Sequence, residues 1–179
     1  MNKESKQKIR QESKARVRTI SAEEKASRSA LIFSRIAALP TLQSAEVVAL
    51  YASLPDEPQT AEIIERLSHS HRIVLPRVAG EDMDFYPYEA DNIKRGAFGI
   101  SEPQSADAIS PAEVDLIIVP GVAFTRNGKR LGRGKGYYDK YLSREGFRAT
   151  KIGVCYNEQL VEEIPDEPHD IIMDDVIFG

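Results

Sequence analysis

A short segment in the second half of the sequence combines cationic side chains with closely spaced glycines. Five cations and no acidic residue lie between Arg126 and Lys135, and Gly128, Gly132 and Gly134 are interspersed among them. Glycines at this spacing let the backbone adopt positive φ and bring its N–H groups close to a ligand, while the cations supply charge. The segment therefore has the composition of a polyphosphate site.

The segment does not match the common nucleotide-binding motifs. The Walker pattern requires four residues between its first glycine and a Gly-Lys-Ser/Thr sequence, and the residues after Gly128 do not meet this spacing. In the dinucleotide pattern, Tyr137 stands where the last glycine is required. A solvated connection rich in Gly, Lys and Arg is the alternative interpretation. The charge and the glycine content favour phosphate binding over that alternative.

The residues on both sides of the segment predict that it lies at an edge of a sheet. Residues 116–119 form an apolar, β-branched run that Pro120 and Gly121 stop, which is typical of a buried strand. A short helix is predicted over residues 137–144, and its first amide groups would add to the positive field. Glu57, in a polar loop after another predicted strand, also stands at a strand's carboxyl end, where open α/β sheets place ligand groups.

The rest of the chain alternates helical and strand patterns. Helices are predicted over residues 3–18, from the capping box of Ser21 and Glu24 to Pro40, and after Thr60; strands are predicted over residues 47–51, 72–76, 83–87, 151–155 and 173–178. The stripe expected to be buried in the second helix is Ala26, Ala30, Phe33 and Ala37. The β-α-β order predicts a three-layer α/β fold with a mostly parallel sheet.

Length and composition predict one ordinary globular domain spanning residues 1–179. The chain is 41% apolar and 29% charged, and it has no apolar run of the about 20 residues that a membrane span needs. The first residues lack the apolar core of a secretion signal, and the lone Cys155 cannot form an internal disulfide. We therefore expect a cytoplasmic protein without a membrane partner. We also expect a monomer, although length and composition do not fix the oligomeric state.

Residues 1–18 are basic, with a net charge of +5 against −9 for the remainder. A helix here would place Lys6 and Arg10 on one face, where both can reach one phosphate group. A solvated basic helix and a nucleic-acid-binding segment are the alternatives. Because the segment lacks interleaved aromatic residues, we expect no nucleic-acid partner.

The string from Gly121 to Asp139 resembles a family signature. It reads G-x-A-F-x-x-x-G-x-R-L-G-x-G-x-G-Y-Y-D, which is similar to the signature of 5-formyltetrahydrofolate cyclo-ligases, also called methenyltetrahydrofolate synthetases. Looser similarity lies in K-x-x-I-R from Lys6, Y-A-S-L-P-D-E from Tyr51 and F-G-I-S-E-P from Phe98. The resemblance covers nearly the whole chain and implies a fold related to sugar-phosphate isomerases and CoA transferases.

The resemblance also implies a set of site residues. For ATP it implies Lys6, Arg10, Arg130, Leu131, Gly132, Arg133, Gly134, Lys135, Gly136, Tyr137 and Tyr138. For the folate it implies Ala52 and Glu57, together with Arg133, Gly134, Lys135, Gly136 and Tyr137. Arg133 and Lys135 are the expected catalytic residues, which stabilise the transferring phosphoryl group.

Two aspartates are expected to hold Mg²⁺, which prefers one or two carboxylates, waters and the substrate phosphates. The matching positions are Asp139 and Asp170, and Asp174 is an alternative to Asp170. The histidines have no metal-ligand spacing, so His169 is expected to be a surface or loop residue.

The implied reaction is the ATP-dependent cyclisation of 5-formyltetrahydrofolate to 5,10-methenyltetrahydrofolate, with release of ADP and phosphate. Phosphoryl transfer needs positioning and charge neutralisation rather than a protein nucleophile, which agrees with a glycine loop rich in Arg and Lys. Two alternatives remain from other classes. One is a phosphosugar isomerase that uses the loop without ATP, and the other is a nucleic-acid-binding protein that uses the basic segment.

Overall fold

A central six-stranded sheet organises the protein in the computed structural model, which describes residues 2–96 and 100–179. The helices are α1 (Asn2–Val17), α2 (Ala22–Ala37), α3 (Pro40–Ser44), α4 (Ala61–Ser68) and α5 (Tyr137–Leu142). The strands are β1 (Val47–Ala49), β2 (Arg72–Ala79), β3 (Asp82–Pro87), β4 (Ile93–Arg95), β5 (Ser101–Pro103), β6 (Leu116–Pro120), β7 (Ala123–Phe124), β8 (Arg130–Leu131), β9 (Thr150–Cys155) and β10 (Asp175–Phe178).

The central sheet is mostly parallel, as the sequence predicted. Its strand order is β10-β9-β6-β1-β2-β3, and within it only β3 runs antiparallel to its neighbour. The strands β4 and β5 form a small antiparallel pair, as do β7 and β8.

Alternate residues of a strand point to opposite sides of a sheet, so each face of this sheet has its own core. Helices cover both cores. Ile118 belongs to the core that α2, α3 and α4 cover, whereas Ile117 belongs to the core that Tyr141 and Leu142 of α5 cover. The helix α1 contributes Val17 to the first of these cores, and its Ile9 lies against the β7–β8 hairpin. The three-layer arrangement of helices, sheet and helix is confirmed.

The second helix begins as predicted but buries a different stripe. The capping box of Ser21 and Glu24 is present. The buried residues are Ser29, Ile32, Phe33 and Ile36. Ala26 and Ala30 are exposed. The predicted stripe is therefore wrong at Ala26 and Ala30, whereas Phe33 is buried and Ala37 is partly buried against the core. Isoleucine side chains bury more apolar area than alanine methyl groups, so the face that carries Ile32 and Ile36 turns to the sheet.

Two helix boundaries also differ from the prediction. The helix α2 ends at Ala37, and Pro40 begins α3 instead of ending α2, since proline is accepted in the first turn of a helix. Thr60 precedes α4, but its side chain forms no cap with the helix. Its hydroxyl instead donates to the carbonyl oxygen of Tyr51.

Several smaller predictions can be compared with the described residues. Cys155 is buried, and burial raises the pKa of its thiol to about 12, so it is a packed thiol. Phe98 and Gly99, which belong to one of the family-like strings, lie outside the described residues. Among the helices of the described part, none is long and apolar enough to cross a membrane.

The carboxyl ends of β1 and β6 meet at one edge of the sheet, because the two strands are parallel neighbours. The chain leaves β1 toward β2 on one side and returns to β6 on the other. Such a reversal of strand order opens a crevice in which α/β proteins bind ligands. We call residues 53–60, which follow β1, the acidic loop, and residues 132–136, which follow the β7–β8 hairpin, the glycine loop.

Candidate functional site

The glycine loop joins the β7–β8 hairpin to α5. Gly134 and Gly136 have φ values of 103° and 71°, a region that residues with a Cβ atom rarely adopt. A Cβ atom on Gly136 would meet nothing within 4 Å, and one on Gly134 would meet only the Arg10 guanidinium, at 3.7 Å. The backbone of the loop is therefore open to a ligand.

Arg130 fastens the loop to the protein interior, where its residue is only 8% exposed. Its Nη1 donates to the carbonyl oxygen of Pro120 at 3.1 Å, and its Nη2 lies 3.3 Å from Oδ2 of Asp139. The guanidinium also lies 5.2 Å from the centre of the Tyr138 ring. A Cβ atom on Gly132 would come within 3.1 Å of Arg130 Nη1. Arg130 thus links the end of β6, the glycine loop and the first turn of α5.

The helix α1 brings two of its cations to this region. Arg10 Nε donates to the carbonyl oxygen of Gly132 at 2.8 Å. Lys6 is buried, and its Nζ lies 2.7 Å from Glu167 and 2.9 Å from Asp170. Burial opposes the charge of Lys6, but the hydrogen bonds to Asp170 and Glu167 outweigh it and raise the pKa. The alternative of a solvated basic helix is therefore wrong for these two residues.

An ion pair joins the acidic loop to the glycine loop. Glu57 is 5% exposed, and its Oε2 accepts from the backbone N–H of Leu54 at 2.9 Å. Its Oε1 accepts from Nη2 of Arg133 at 2.8 Å. The same guanidinium lies 2.6 Å from Asp56. Arg133 therefore bridges the crevice between β1 and β6.

The two carboxyl groups beside Arg133 differ in their pKa values. Burial raises the pKa of Glu57, although the Leu54 N–H and Arg133 oppose the shift. Burial acts in the same direction on Asp56, but the hydrogen bond from Arg133 prevails and lowers its pKa. The pKa of Arg133 is raised despite burial, because Asp56 and Glu57 stabilise its charge. Glu57 therefore holds its proton more tightly than Asp56.

The remaining predicted residues occupy different environments. Lys135 is exposed and forms no ion pair among the described residues. The hydroxyl of Tyr137 donates to the carbonyl oxygen of Gly80 at 3.1 Å. Leu131 is buried in a small core, so only its backbone is available to a ligand. Ala52 is partly buried just after β1.

The two predicted metal ligands each retain one available oxygen. Asp139 uses Oδ2 for Arg130, and Asp170 uses Oδ2 for Lys6 and for the N–H of Glu167. The Oδ1 atom of each aspartate accepts no hydrogen bond from the residues described. This donor chemistry fits a hard cation such as Mg²⁺, which binds oxygen ligands and keeps several waters.

The alternative ligand Asp174 serves a structural role at the other end of the strands. Its Oδ2 accepts from the backbone N–H of Lys151 at 2.7 Å, near the amino end of β9. It also lies 3.1 Å from the Lys151 ammonium. These contacts favour Asp170 over Asp174 at the site.

His169 lies close to two possible metal ligands, although the spacing of the histidines in the sequence did not indicate a metal site. Glu167, His169 and Asp170 place their donor atoms within 4.8 Å of one another, and in the described part of the chain they are the one such group. His169 is exposed, as predicted for a surface or loop residue. Asp139 lies outside this group.

The sequence did not single out two residues that shape the site. Asp56 shares Arg133 with Glu57, although it stands beside Glu57 in the family-like string. Gln159 is buried, and its side-chain amide donates to the carbonyl oxygens of Gly121 and Val122 at 2.9 and 3.2 Å. No local pattern marks Gln159, because its partners lie far away in the sequence.

Comparison with known proteins identifies close similarity over most of the chain. A family model described as the 5-formyltetrahydrofolate cyclo-ligase family matches residues 2–179. The 5-formyltetrahydrofolate cyclo-ligase of Mus musculus is 31% identical over 185 residues, which cover 95% of this chain and 91% of the mouse protein. That of Escherichia coli K12 is 30% identical over 152 residues, with 80% and 84% covered.

Solved structures agree with this similarity. The 5,10-methenyltetrahydrofolate synthetase of Aquifex aeolicus, determined by NMR, superposes with a TM-score of 0.87 at 33% identity, covering 97% of this chain and 89% of that chain. The synthetase of Mycoplasma pneumoniae superposes with a TM-score of 0.78 at 26% identity, covering 96% and 97%.

Proposed function

Since the chain belongs to the 5-formyltetrahydrofolate cyclo-ligase family, we propose that it catalyses the ATP-dependent cyclisation of 5-formyltetrahydrofolate to 5,10-methenyltetrahydrofolate. The ion pair of Arg133 with Glu57 is the observation that most supports this function. It joins a cationic glycine loop, suited to a polyphosphate, to a buried carboxyl group, suited to polar groups of a folate, across one crevice.

The chemistry explains why such a crevice is needed. A formamide oxygen is a poor leaving group, so it first attacks the γ-phosphorus of ATP, and the bond from that phosphorus to ADP breaks. The N10 amine then attacks the activated formyl carbon, and the carbon–oxygen bond breaks as inorganic phosphate leaves. The N10 proton is lost to complete the methenyl bridge. Phosphoryl transfer of this kind requires positioning and charge neutralisation.

In the proposed complex ATP lies on the glycine loop. Lys6 and Arg10 approach it from α1, and the loop backbone supplies N–H groups to the phosphates. Arg133 and Lys135 neutralise the charge on the transferring phosphoryl group. Lys135 is exposed and without an ion-pair partner among the described residues, so a phosphate can recruit it without displacing an internal contact.

The folate occupies the other side of the crevice in this proposal. Glu57 and the neighbouring Ala52 contact it from the acidic loop and the end of β1. Oε1 of Glu57 accepts a hydrogen bond from Arg133. In this proposal Glu57 therefore contacts the folate and also orients the Arg133 guanidinium, which acts on the phosphoryl group. The formyl oxygen and the γ-phosphate would therefore meet beside Arg133.

We include Mg²⁺ at Asp139 and Asp170, whose Oδ1 atoms are available. A bound Mg²⁺ would neutralise phosphate charge and orient the triphosphate. Arg130 holds Asp139, and Lys6 holds Asp170, so each carboxylate is already positioned by a cation.

We further propose that the chain acts as a monomer in the cytoplasm, as a single catalytic domain that uses small-molecule substrates alone. Three cations of α1 contact the body of the protein, through Lys6 with Asp170, Arg10 with Gly132 and Arg16 with the carbonyl oxygen of Glu158. This use of the basic segment argues against the nucleic-acid alternative.

The test is a spectrophotometric assay of purified protein with 5-formyltetrahydrofolate and Mg-ATP. We expect the methenyl chromophore and ADP to appear in equal amounts, and both to be absent without ATP. When the formyl oxygen carries ¹⁸O, the label should appear in inorganic phosphate, because that oxygen leaves with the transferred phosphoryl group.

Other outcomes would identify the alternatives. ADP without the chromophore would retain a nucleotide site and exclude the folate reaction. Turnover of a sugar phosphate without ADP would favour the isomerase, whereas salt-sensitive binding of nucleic acid would favour the nucleic-acid alternative. Unlabelled phosphate in the ¹⁸O experiment would exclude phosphoryl activation of the formyl oxygen.

A further inference from the structure

The acidic loop is held by hydroxyl groups from the protein interior. The carbonyl oxygen of Glu57 accepts from the hydroxyl of Tyr156 at 3.0 Å, and that of Pro58 accepts from Tyr51 at 2.7 Å. The N–H of Gln59 donates to the hydroxyl of Ser29 at 2.8 Å. Three consecutive residues of the loop are therefore fixed by side chains that do not belong to it.

These hydroxyl groups come from separate elements and are buried. Tyr156 follows β9 and has 0% exposure, Tyr51 follows β1 with 2%, and Ser29 lies in α2 with 3%. Buried polar groups are costly to leave unpaired, so each of these bonds constrains the loop more than an exposed bond would. The position of Glu57 thus depends on β9 and α2, far from it in sequence.

The available protons decide which contact Tyr156 makes. Ser29 has one hydroxyl proton, and its oxygen lies 2.6 Å from the carbonyl oxygen of Lys25, which can only accept. Tyr156 lies 3.2 Å from Ser29 and 3.0 Å from the carbonyl oxygen of Glu57, which also can only accept. The contact with Glu57 is the shorter of the two, and Tyr156 can only be the donor in it, so we place the single Tyr156 proton on the Glu57 carbonyl oxygen. Burial raises the pKa of Tyr156, so the hydroxyl keeps this proton.

The hydrogen bond from Tyr156 to the Glu57 carbonyl oxygen affects the position of the Glu57 carboxyl group. Its Oε2 is fixed by the N–H of Leu54, which leaves Oε1 to meet Arg133 across the crevice. A shift of the Glu57 backbone would therefore carry Oε1 away from Arg133 and from a ligand between the two loops.

We propose that Tyr156 is a positioning residue for Glu57, acting through the hydrogen bond from its hydroxyl to the Glu57 carbonyl oxygen. Ser29 supports the same segment through the N–H of Gln59. The proposed role rests on the proposed function, in which Glu57 contacts the folate. Tyr156 itself is completely buried and touches neither substrate.

The chain offers a matched control in Tyr141. Both tyrosines have 0% exposure, but the Tyr141 hydroxyl has no hydrogen-bond partner among the residues described. Tyr141 packs between the rings of Phe85 and Phe147 on the other face of the sheet. Replacing it by phenylalanine removes the same atom from a buried tyrosine without releasing the acidic loop.

The experiment compares Tyr156→Phe, Tyr141→Phe, Glu57→Gln and the double variant Tyr156→Phe/Glu57→Gln in the full chain. The KM for 5-formyltetrahydrofolate, the KM for ATP and kcat are measured below the unfolding temperature of every variant. We expect Tyr156→Phe to raise the folate KM about tenfold and the ATP KM by less than about twofold. Tyr141→Phe should leave all three constants unchanged.

The double variant distinguishes positioning from a general effect on the fold. If Tyr156 acts through Glu57, adding Tyr156→Phe to Glu57→Gln should raise the folate KM by less than about twofold further. An equal effect of Tyr156→Phe in both backgrounds would overturn the positioning role, as would an effect no larger than that of Tyr141→Phe. Should Tyr156→Phe not fold, Ser29→Ala replaces it in the same cycle, with the same expected coupling.

Failure of the positioning role is distinguishable from failure of the proposed function. A raised folate KM in Glu57→Gln without coupling to Tyr156 would retain the function and overturn only the positioning role. An unchanged folate KM in Glu57→Gln would overturn the contact of Glu57 with folate and the positioning role with it. Absence of turnover by the unmodified chain would overturn the function before any variant is compared.

Discussion

The acidic loop and the glycine loop lie at the same edge of the sheet but are held in different ways. The acidic loop receives hydrogen bonds from buried Tyr51, Tyr156 and Ser29. The glycine loop has open space beside Gly136. The carbonyl oxygen of Gly132 in this loop accepts a hydrogen bond from Arg10, which is partly exposed. One side of the crevice is therefore held by buried hydroxyl groups, whereas the other is held by arginine side chains and leaves open space beside its backbone.

This difference matches the two kinds of ligand in the proposed reaction. The bicyclic pteridine ring of the folate gains from a preorganised carboxyl group, because less ordering is needed on binding. A triphosphate is flexible and strongly charged, so open backbone N–H groups and an exposed cation such as Lys135 suit it. Arg133 belongs to the glycine loop but is held by the acidic loop, and it therefore couples the two sides.

The largest effect is expected from Arg133→Ala. Removing the guanidinium takes away charge stabilisation of the phosphoryl group and leaves Glu57 without its ion-pair partner, so kcat should fall about 10²–10³-fold. The measurement is steady-state kinetics with both substrates saturating. Arg148→Ala, which removes an exposed arginine that donates to the carbonyl oxygen of Ala112, is the control and should retain full kcat. An unchanged kcat in Arg133→Ala would remove Arg133 from the catalytic residues.

A methyl group at Gly134 should weaken ATP use. The φ of 103° makes alanine strained there, and the backbone must shift to relieve that strain, so kcat/KM for ATP should fall about tenfold or more. Gly146→Ala is the matched control, because its φ is 82° and its Cβ would make only an ordinary contact at 3.5 Å with Ala112. Equal losses of activity in both variants would indicate general destabilisation rather than a phosphate cradle.

A smaller effect is expected from Asp170→Asn, which tests the metal assignment. The Mg²⁺ concentration for half-maximal activity should rise about fivefold, because one charged oxygen ligand becomes a neutral amide. Glu167→Gln is the comparison, since Glu167 shares Lys6 with Asp170 but is not a proposed metal ligand. Glu167 also lies in the group of possible metal donors with His169 and Asp170, so an equal rise in both variants would leave the metal assignment to Asp170 alone unsupported.

The two loops also differ in how much the sequence could predict. The glycine loop was predictable, because glycine spacing, clustered cations and the buried strand before it are all local patterns. Most strands were predictable for the same reason. The stripe of α2 was predicted wrongly, since both an alanine stripe and the Ile32/Ile36 stripe have helical spacing and only packing against the sheet selects one.

The support of the acidic loop was not predictable. Ser29 accepts from the N–H of Gln59, and Tyr156, which follows the carboxyl end of β9, donates to the carbonyl oxygen of Glu57. Such pairs are set by the order of strands in the sheet, which no local pattern fixes. The ion pair of Arg133 with Glu57 is of the same kind, because both residues were implied by a family resemblance but their contact depends on β1 and β6 being neighbours.

The smallest expected effect concerns the outer contact of Arg133 with Asp56. Because the pKa of Asp56 is lowered in the folded state, its charged form contributes stability above its ordinary value of 3.8, and this contribution is lost as pH falls through the folded-state pKa. With 32% and 29% of the two side chains exposed, Asp56→Asn should cost at most about 1 kcal/mol of unfolding free energy at neutral pH. The cost should vanish in acid.

Glu57 should show the opposite pH dependence, which sharpens the contrast between the outer and inner parts of the acidic loop. Its raised pKa means that the folded state binds the proton more tightly, so its contribution is present below the ordinary value of 4.5 and is lost as pH rises through the folded-state pKa. Urea unfolding of the unmodified chain, Asp56→Asn and Glu57→Gln across this range measures both differences. Difference curves with the same slope would mean that Arg133 holds both carboxyl groups alike, and that burial does not separate the inner contact from the outer one.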